Sequence, residues 1–252
     1  MCTISFVPVD RNKWLLGMNR DERKNRAKAK PPEIQQHEDG TEYLAPIDTE
    51  AGGTWAGVNE YGLTLLLINN YQAMNPELAH RSDALSRGLI IPQLMNHTSV
   101  EQIVESLKQL EANRYNPFTL FIFSRYQQRI SSYSWDGVTV KFEDLPAEPF
   151  VKISSGFDPD EAYKIRNNEF RRRLSETDMN NVDADWIKSL HQSTNPEPGA
   201  LSIAMIQEKV MSVSSIVLDL SPAHCSIHYG DGWPGGNIEW LKSDISFSSI
   251  EV

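Results

Sequence analysis

Cysteine is scarce in this chain: Cys2 and Cys225 are the two thiols in 252 residues. Two thiols cannot build a disulfide framework, so the fold has to rest on a buried core, and a reducing, cytoplasmic compartment is expected. Positive charge is short as well. Lys and Arg number 24 against 34 Asp and Glu, for a net charge of −10. A surface of that sign repels phosphate backbones and anionic headgroups, which argues against nucleic acid or a membrane surface as the main partner. Long apolar runs are missing. No stretch approaches the roughly 20 residues that span a bilayer, so no membrane span is expected. Asp10, Arg11 and Lys13 interrupt the first apolar stretch, which excludes a signal peptide there. Internal repeats, low-complexity tracts and polar linkers are also lacking, so residues 1–252 read as a single domain. The chain has no P-loop, no Gly-x-Gly-x-x-Gly and no Cys-x-x-Cys-His. The histidines, at 37, 80, 97, 191, 224 and 228, show no metal-ligand spacing beyond the pair His224 and His228. No third ligand accompanies that pair, so neither a metal nor a cofactor is expected.

What is present begins at the N-terminus. Cys2 to Val9 is one apolar strand, Asp10 to Lys13 a polar turn, and Trp14 to Met18 a second apolar strand. Asn19-Arg20-Asp21-Glu22 follows at its end. A hairpin of that length sets the end of the second strand beside the start of the first. Arg20 and Asp21 then fall next to Cys2, where a guanidinium lowers a thiol's pKa. Neighbours on a regular strand point to opposite faces, so a turn at Asn19 to Glu22 is needed for Arg20 and Asp21 to face one site. If Met1 is removed, Cys2 also carries a free α-amine with a reference pKa of about 7.7–8.0. One residue then supplies both nucleophile and base.

Downstream, the basic run from Arg23 to Lys30 reads as a solvated loop closed by Pro31-Pro32, and His37 to Thr41 as a turn. Strands are expected at Tyr43 to Pro46, Thr54 to Asn59, Leu63 to Ile68, Phe118 to Phe123, Ile130 to Trp135, Val138 to Glu143 and Phe150 to Ile153. Leu63 to Ile68 is apolar throughout, as in a strand buried on both faces. Asp136-Gly137 signals a two-residue hairpin. Asn75 to Asp83 is a polar connection. An imperfect helix begins at Ser86. A second carries Val100, Ile103, Val104, Leu107 and Leu110 at helical spacing, with Thr98 and Glu101 as a capping box. Asp158, Pro159 and Glu161 open another helix, and its Arg171-Arg172-Arg173 cluster complements the C-terminal dipole. Asp183 to His191 forms a short helix and Pro198 to Ile206 one more. Ser212 to Leu220 and Ala223 to Tyr229 are closing strands, Asp231 to Gly236 is a turn, and the last sixteen residues form a polar tail. Strands with helices in two blocks make an α+β chain.

The opening Met1-Cys2-Thr3, the tetrad Asn19-Arg20-Asp21-Glu22, the stretch Gly52-Gly53-Thr54-Trp55-Ala56-Gly57-Val58-Asn59 with Gly62-Leu63, and Asn69-Asn70-Tyr71 resemble the NRDE family, also called the transport and Golgi organisation protein 2 family. The start is also similar to the cysteine N-terminal-nucleophile (Ntn) amidases, the bile-salt hydrolase and penicillin V acylase group. The resemblance implies a four-layer αββα sandwich. It also implies a site in which Cys2 attacks a carbonyl carbon, Arg20 stabilises the thiolate and Asp21 orients the α-ammonium. Asn69 or Asn70 then donates to the oxyanion, with Asn70 preferred, and Asn19 and Trp55 stand among the binding residues. The chain departs from the amidases at Ser154-Ser155, where they carry a Thr-Asn pair. It departs from many NRDE proteins at Ala204-Met205-Ile206-Gln207, where a Cys-Met-His-Arg stretch is expected.

Each candidate has a plainer reading. Cys2 is either the nucleophile or a small apolar residue opening a buried strand. The tetrad is either part of a site or a salt-bridge knot. Asn69-Asn70 is either an oxyanion donor or a strand terminator. Gly52-Gly53 reads as a bulge or a close approach to the Cys2 strand. Two functions follow from the resemblance: hydrolysis of a non-peptide amide in a small molecule, or non-catalytic binding or trafficking of a hydrophobic ligand, haem or an acyl lipid. Oligomeric state is not legible.

Overall fold

The computed structural model describes residues 2–71 and 81–248. Met1, His80 and most of the expected connection at 75–83 lie outside them. The described strands are β1 (Cys2–Pro8), β2 (Trp14–Arg23), β3 (Lys30–Gln36), β4 (Glu42–Ile47), β5 (Ala56–Asn59), β6 (Leu63–Asn69), β7 (Phe118–Ser124), β8 (Arg129–Trp135), β9 (Val140–Leu145), β10 (Phe150–Ser154), β11 (Val210–Leu220), β12 (His224–Asp231) and β13 (Trp240–Ser246). The α-helices are α1 (Ile90–Leu94), α2 (Val100–Gln109), α3 (Pro159–Ser175) and α4 (Ala184–His191). The chain divides into two compact units. One is built from residues 1–26, 148–221 and 226–243, the other from 27–147, 222–225 and 244–252.

The first unit is a sheet in the order β10-β1-β2-β11-β12-β13. Its seed is the N-terminal hairpin. The amides of Val9 and Asp10 both donate to the Lys13 carbonyl, closing the turn, and the register sets Val7 opposite Leu15 and Cys2 opposite Arg20. Helices α3 and α4 start where their caps dictate. The Asp158 carboxylate accepts from the Glu161 amide with Pro159 following it, and the Asp183 carboxylate accepts from the Trp186 amide. Phe170, Ile187 and Leu190 of these helices pack on Val7, Leu15, Val151 and Val217 of the sheet. The alternate residues of the strands, Ile4, Phe6, Leu16, Met18, Ile216 and Leu218, are fully buried too. This sheet is therefore buried on both faces.

The second unit is a meander in the order β3-β4-β5-β6-β7-β8-β9. Ile90, Ile91 and Leu94 of α1 and Val100, Ile103 and Leu107 of α2 pack on Leu63, Leu65, Leu67, Leu120 and Ile122. As its sequence implies, β6 is buried along its length until Asn69.

Several local expectations are corrected. Lys30 and the Pro31-Pro32 pair do not end a loop; they open β3. An edge strand tolerates prolines because one of its sides forms no ladder, and the register is irregular between Lys30 and Glu33. The Asp136 turn spans four residues, not two: Trp135 pairs with Val140, and the Asp136 carboxylate accepts from the amides of Val138 and Thr139. Helix α2 is capped by Ser99, one residue later than expected, while the Gln102 side chain accepts from the Thr98 amide. Pro198 to Ile206 is a run of bends that ends in a bridge from Ile206 to Met211. The carbonyls of Ala200 and Leu201 go to Arg166, and that of Ala204 goes to Ser202 and Trp233. A helix needs those acceptors for itself. The polar tail contains β13, whose Trp240 packs against the first unit's core. Gly53 approaches the backbone of Gly88, leaving no room for a Cβ, so its close approach lies within the second unit and not at the Cys2 strand.

Candidate active site

Strand β2 stays regular through the tetrad and ends at Arg23. The expected turn at Asn19 to Glu22 is absent. The irregularity sits in its neighbour, where β11 inserts Val213 between Ser212, opposite Asp21, and Ser214, opposite Arg20. Alternation therefore sends the tetrad to both faces of the sheet. Arg20 shares its face with Cys2, because directly opposed residues of an antiparallel pair point the same way. Asn19 and Asp21 face α3 and α4.

On the helix side the tetrad joins a buried polar network. Arg166 of α3 is wholly buried. It donates to the Thr3 hydroxyl at 2.7 Å and to the carbonyls of Ala200 and Leu201, and one of its nitrogens lies 4.0 Å from Asp21 Oδ2. Asp21 Oδ1 accepts from the Ser212 hydroxyl at 2.6 Å, and the Met205 amide donates to that same hydroxyl oxygen. The Ala204-Met205 stretch, which lacks the expected His and Arg, thus braces Asp21 through Ser212. Asn19 Nδ2 donates to the carbonyls of His191 and Ile203, which turns its Oδ1 toward His191 Nδ1 at 3.1 Å. Nδ1 must then carry the ring proton, leaving Nε2 to accept from Ser5 Oγ at 2.8 Å. Gly17 lies beneath the ring, and any Cβ there would collide with it. Asn19 is accordingly a strut between the sheet and α4.

The electrostatics follow from this burial. Desolvation pushes the Asp21 carboxyl up, against the pull of Arg166 and the Ser212 bond. It pulls Arg166 down, against the attraction of Asp21 and Cys2. His191, fully buried beside the Arg166 charge, drops to about 3 and is neutral at physiological pH. Burial also raises the Cys2 thiol, and the Asp21 charge adds to it. The Asp21 N–H and Arg20 act in the opposite direction but do not prevail. The expectation that Arg20 lowers this thiol's pKa holds for the sign of its contribution and fails for the outcome, because desolvation is larger.

Cys2, Asn19, Arg20 and Asp21 are thus brought together in the first unit. Asn69, Asn70 and Trp55 belong to the second. Asn69 Nδ2 donates to the Tyr71 hydroxyl, Asn70 Nδ2 donates to the Trp135 carbonyl at 3.3 Å, and the Trp55 carbonyl accepts from Leu67. Arg171-Arg172-Arg173 is mostly an ion-pair cluster: Arg172 and Arg173 both pair with Glu169, which is held down at about 2. Both cysteines are buried and neither forms a disulfide. Among the described residues no group of three or more His, Cys, Asp and Glu is placed to hold a metal ion, and no helix is long and apolar enough to cross a membrane.

Sequence reasoning missed Arg166 and His191. Their contacts with β1 and β2 span 145 to 186 residues of chain, beyond any local pattern. One signal was available. Ala162, Arg166 and Phe170 recur every fourth residue on the buried stripe of α3, and an arginine in that register has to be paired.

Comparison with solved structures places the fold. An N-acylethanolamine-hydrolysing acid amidase ortholog from Caenorhabditis elegans superposes with a TM-score of 0.57 at 11% identity, over 86% of this chain and 92% of that one. Two variants of the conjugated bile acid hydrolase from Clostridium perfringens give 0.52 and 0.53 at 14% and 12% identity, with full coverage of both chains. The fold is therefore that of the Ntn hydrolases, consistent with an αββα sandwich. A search of curated proteins by sequence finds no match. The family model of Transport and Golgi organisation 2 matches residues 1–230, and the chain belongs to that family.

Proposed function

We propose that this chain is a cysteine Ntn amidohydrolase that cleaves a non-peptide C–N amide bond in a small molecule, working as one domain in a reducing cytoplasm. The observation that carries this reading is the register Cys2 opposite Arg20, with Asp21 one residue on and braced from behind by Ser212 and Arg166. The fold, shared with two kinds of amidohydrolase, supports it. The active form lacks Met1. The Cys2 sulfur adds to the substrate carbonyl carbon and the π pair moves to the oxygen. The thiol proton passes to the α-amine, which gives it to the leaving nitrogen as the C–N bond breaks. Water then cleaves the thioester, releasing the acid and restoring the thiol. A thiol held protonated by burial fits this scheme, since its proton leaves during attack and not before it.

One observation favours a second reading, in which the same shell binds a hydrophobic ligand, haem or an acyl lipid, without chemistry. Ser155 is consumed in the turn before α3, donating to the Phe157 carbonyl and accepting from its amide. No asparagine stands beside it. The two readings separate on native protein. Intact-mass analysis should show Met1 removed, and a panel of N-acyl amides should yield free amine with wild type and none with Cys2→Ala. Quantitative retention of Met1, or saturable binding of haem or acyl-CoA with no turnover of any amide, would decide for the second.

A further inference from the structure

A row of four residues crosses the first sheet at Cys2. Ser154 on β10 is directly opposite Cys2, Cys2 opposite Arg20, and Arg20 opposite Ser214 on β11. Opposed residues of antiparallel strands share a face, so these four side chains line one side of the sheet in sequence. Two of them are hydroxyls with unmade bonds. Ser154 is only 4% exposed, and its Oγ is buried with no hydrogen-bond partner. Ser214 Oγ is in the same condition, as is the hydroxyl of Tyr229. Burial raises the Tyr229 hydroxyl to about 12, and Ser214 is near enough to offset part of that rise. Buried hydroxyls are normally satisfied, because an orphan loses its hydration and gains no bond in return. An orphan beside a nucleophile is different: it is a donor held ready for a group that arrives with a ligand.

We propose that the Ser154 hydroxyl is a catalytic residue of the Cys2 site, donating its hydrogen bond to the oxygen of an acyl carbonyl as the Cys2 sulfur adds to the carbon. This rests on the hydrolase reading above. The neighbouring serine cannot do this, because it is spent on Phe157. Ser154 makes no bond to the Cys2 sulfur in this structure, so its proton is not already committed.

Two reactions of the same thiol test this. Acylation by 4-nitrophenyl butyrate forms an S–C bond, places the π pair on oxygen, then expels 4-nitrophenolate, while the thiol proton leaves to the α-amine or solvent. Iodoacetamide forms an S–C bond at a saturated carbon with loss of iodide and builds no oxyanion. Both are read on the Cys2 peptide by mass spectrometry, with Met1-processed protein. Ser154→Ala should slow acylation about 10²–10³-fold, the usual effect of losing one oxyanion donor, and leave alkylation within about twofold. Ser154→Thr, which keeps the hydroxyl, should recover most of the acylation rate. Equal slowing of both reactions would mean Ser154 only shapes the site, and an unchanged acylation rate would also overturn the proposal. If wild-type Cys2 is alkylated but never acylated, the hydrolase reading itself falls and takes this inference with it.

Discussion

The two units bury their helices against their sheets in different ways. In the second, Leu63, Leu65, Leu67, Ile90, Ile91, Val100, Ile103 and Leu107 form an apolar contact layer, and the buried Asn59 ties the sheet to the helices by donating to the carbonyls of Met95 and His97. In the first, the corresponding layer contains Arg166, Asp21, Asn19, His191, Thr3 and Ser5, every one of them less than 9% exposed. Apolar burial stabilises at about 25 cal/mol per Å² without geometric demands. A buried polar network stabilises little in net terms and fails badly when one member is lost. What sets the first unit's layer apart is its buried charge: Arg166 lies 4.0 Å from Asp21 with both side chains wholly buried, and the residue so held is Asp21, beside Cys2.

The largest expected effect breaks the network at its charge. Arg166→Leu leaves Asp21 buried without its cation and should cost about 3–5 kcal/mol in a urea melt. Removing both charges, with Arg166→Met and Asp21→Asn together, should restore much of that stability while abolishing amide turnover. If the double variant is no better than the single one, Asp21 is not what Arg166 compensates. The matching change in the second unit, Ile103→Ala, removes only packing. It should cost about 2–5 kcal/mol, in proportion to the cavity left, and have no second-site charge rescue.

Acid sensitivity tests the polar network next. His191 is neutral in the folded state down to about 3, whereas an unfolded histidine titrates near 6.5. Between those values the unfolded chain binds the extra proton, so stability falls as pH falls through that window. The loss from pH 7 to pH 5 is about 2 kcal/mol. Asp21, with its carboxyl raised, acts the other way and gains as pH drops. The Arg166 charge on the same ring keeps His191 from protonating early. In urea melts His191→Gln should be less stable than wild type at pH 7 but decline less steeply toward pH 5, because His97 and His228, also lowered by burial, keep a share of the loss. A His191→Gln variant that declines toward pH 5 as steeply as wild type would show that the ring is not buried as described.

What could be read from the sequence follows the range of the contacts. The N-terminal hairpin, its register at Cys2 and Arg20, and the helix starts at Asp158 and Asp183 rest on signals within about 20 residues, and all are found. Strand β3 was hidden by Pro31-Pro32, which an edge position permits, and β13 by a polar composition in which Ile245 is buried and Trp240 half-buried against the first unit's core. The polar network was illegible for a different reason. Asn19 and Asp21 announce polar residues at a strand end, but nothing local says that α3 will return with an arginine at position 166. The turn invoked at Asn19 to Glu22 came from assuming that Arg20 and Asp21 serve one face. They serve two, and a bulge in β11 accommodates both.

That division of faces gives the smallest and sharpest test. Asp21 has Arg166 and Ser212 on its own side of the sheet, so Arg20 is not needed to neutralise it. A salt-bridge knot at the hairpin end would make Arg20→Leu as damaging as Arg166→Leu. With the faces separate, Arg20→Leu should cost clearly less in a urea melt, since the carboxylate keeps its partners. The thiol should still respond. Arg20 is one of the groups favouring the Cys2 thiolate against burial, so its loss raises the thiol's pKa further and lowers the thiolate fraction at any pH below it. Iodoacetamide modification of Cys2, followed by peptide mass mapping so that Cys225 does not interfere, should therefore be slower in Arg20→Leu, with its pH profile moved to higher pH. Arg20→Lys, which keeps a cation, should lie between the two. An unmoved profile would make Arg20 a structural residue of the hairpin and leave Cys2 an ordinary buried thiol.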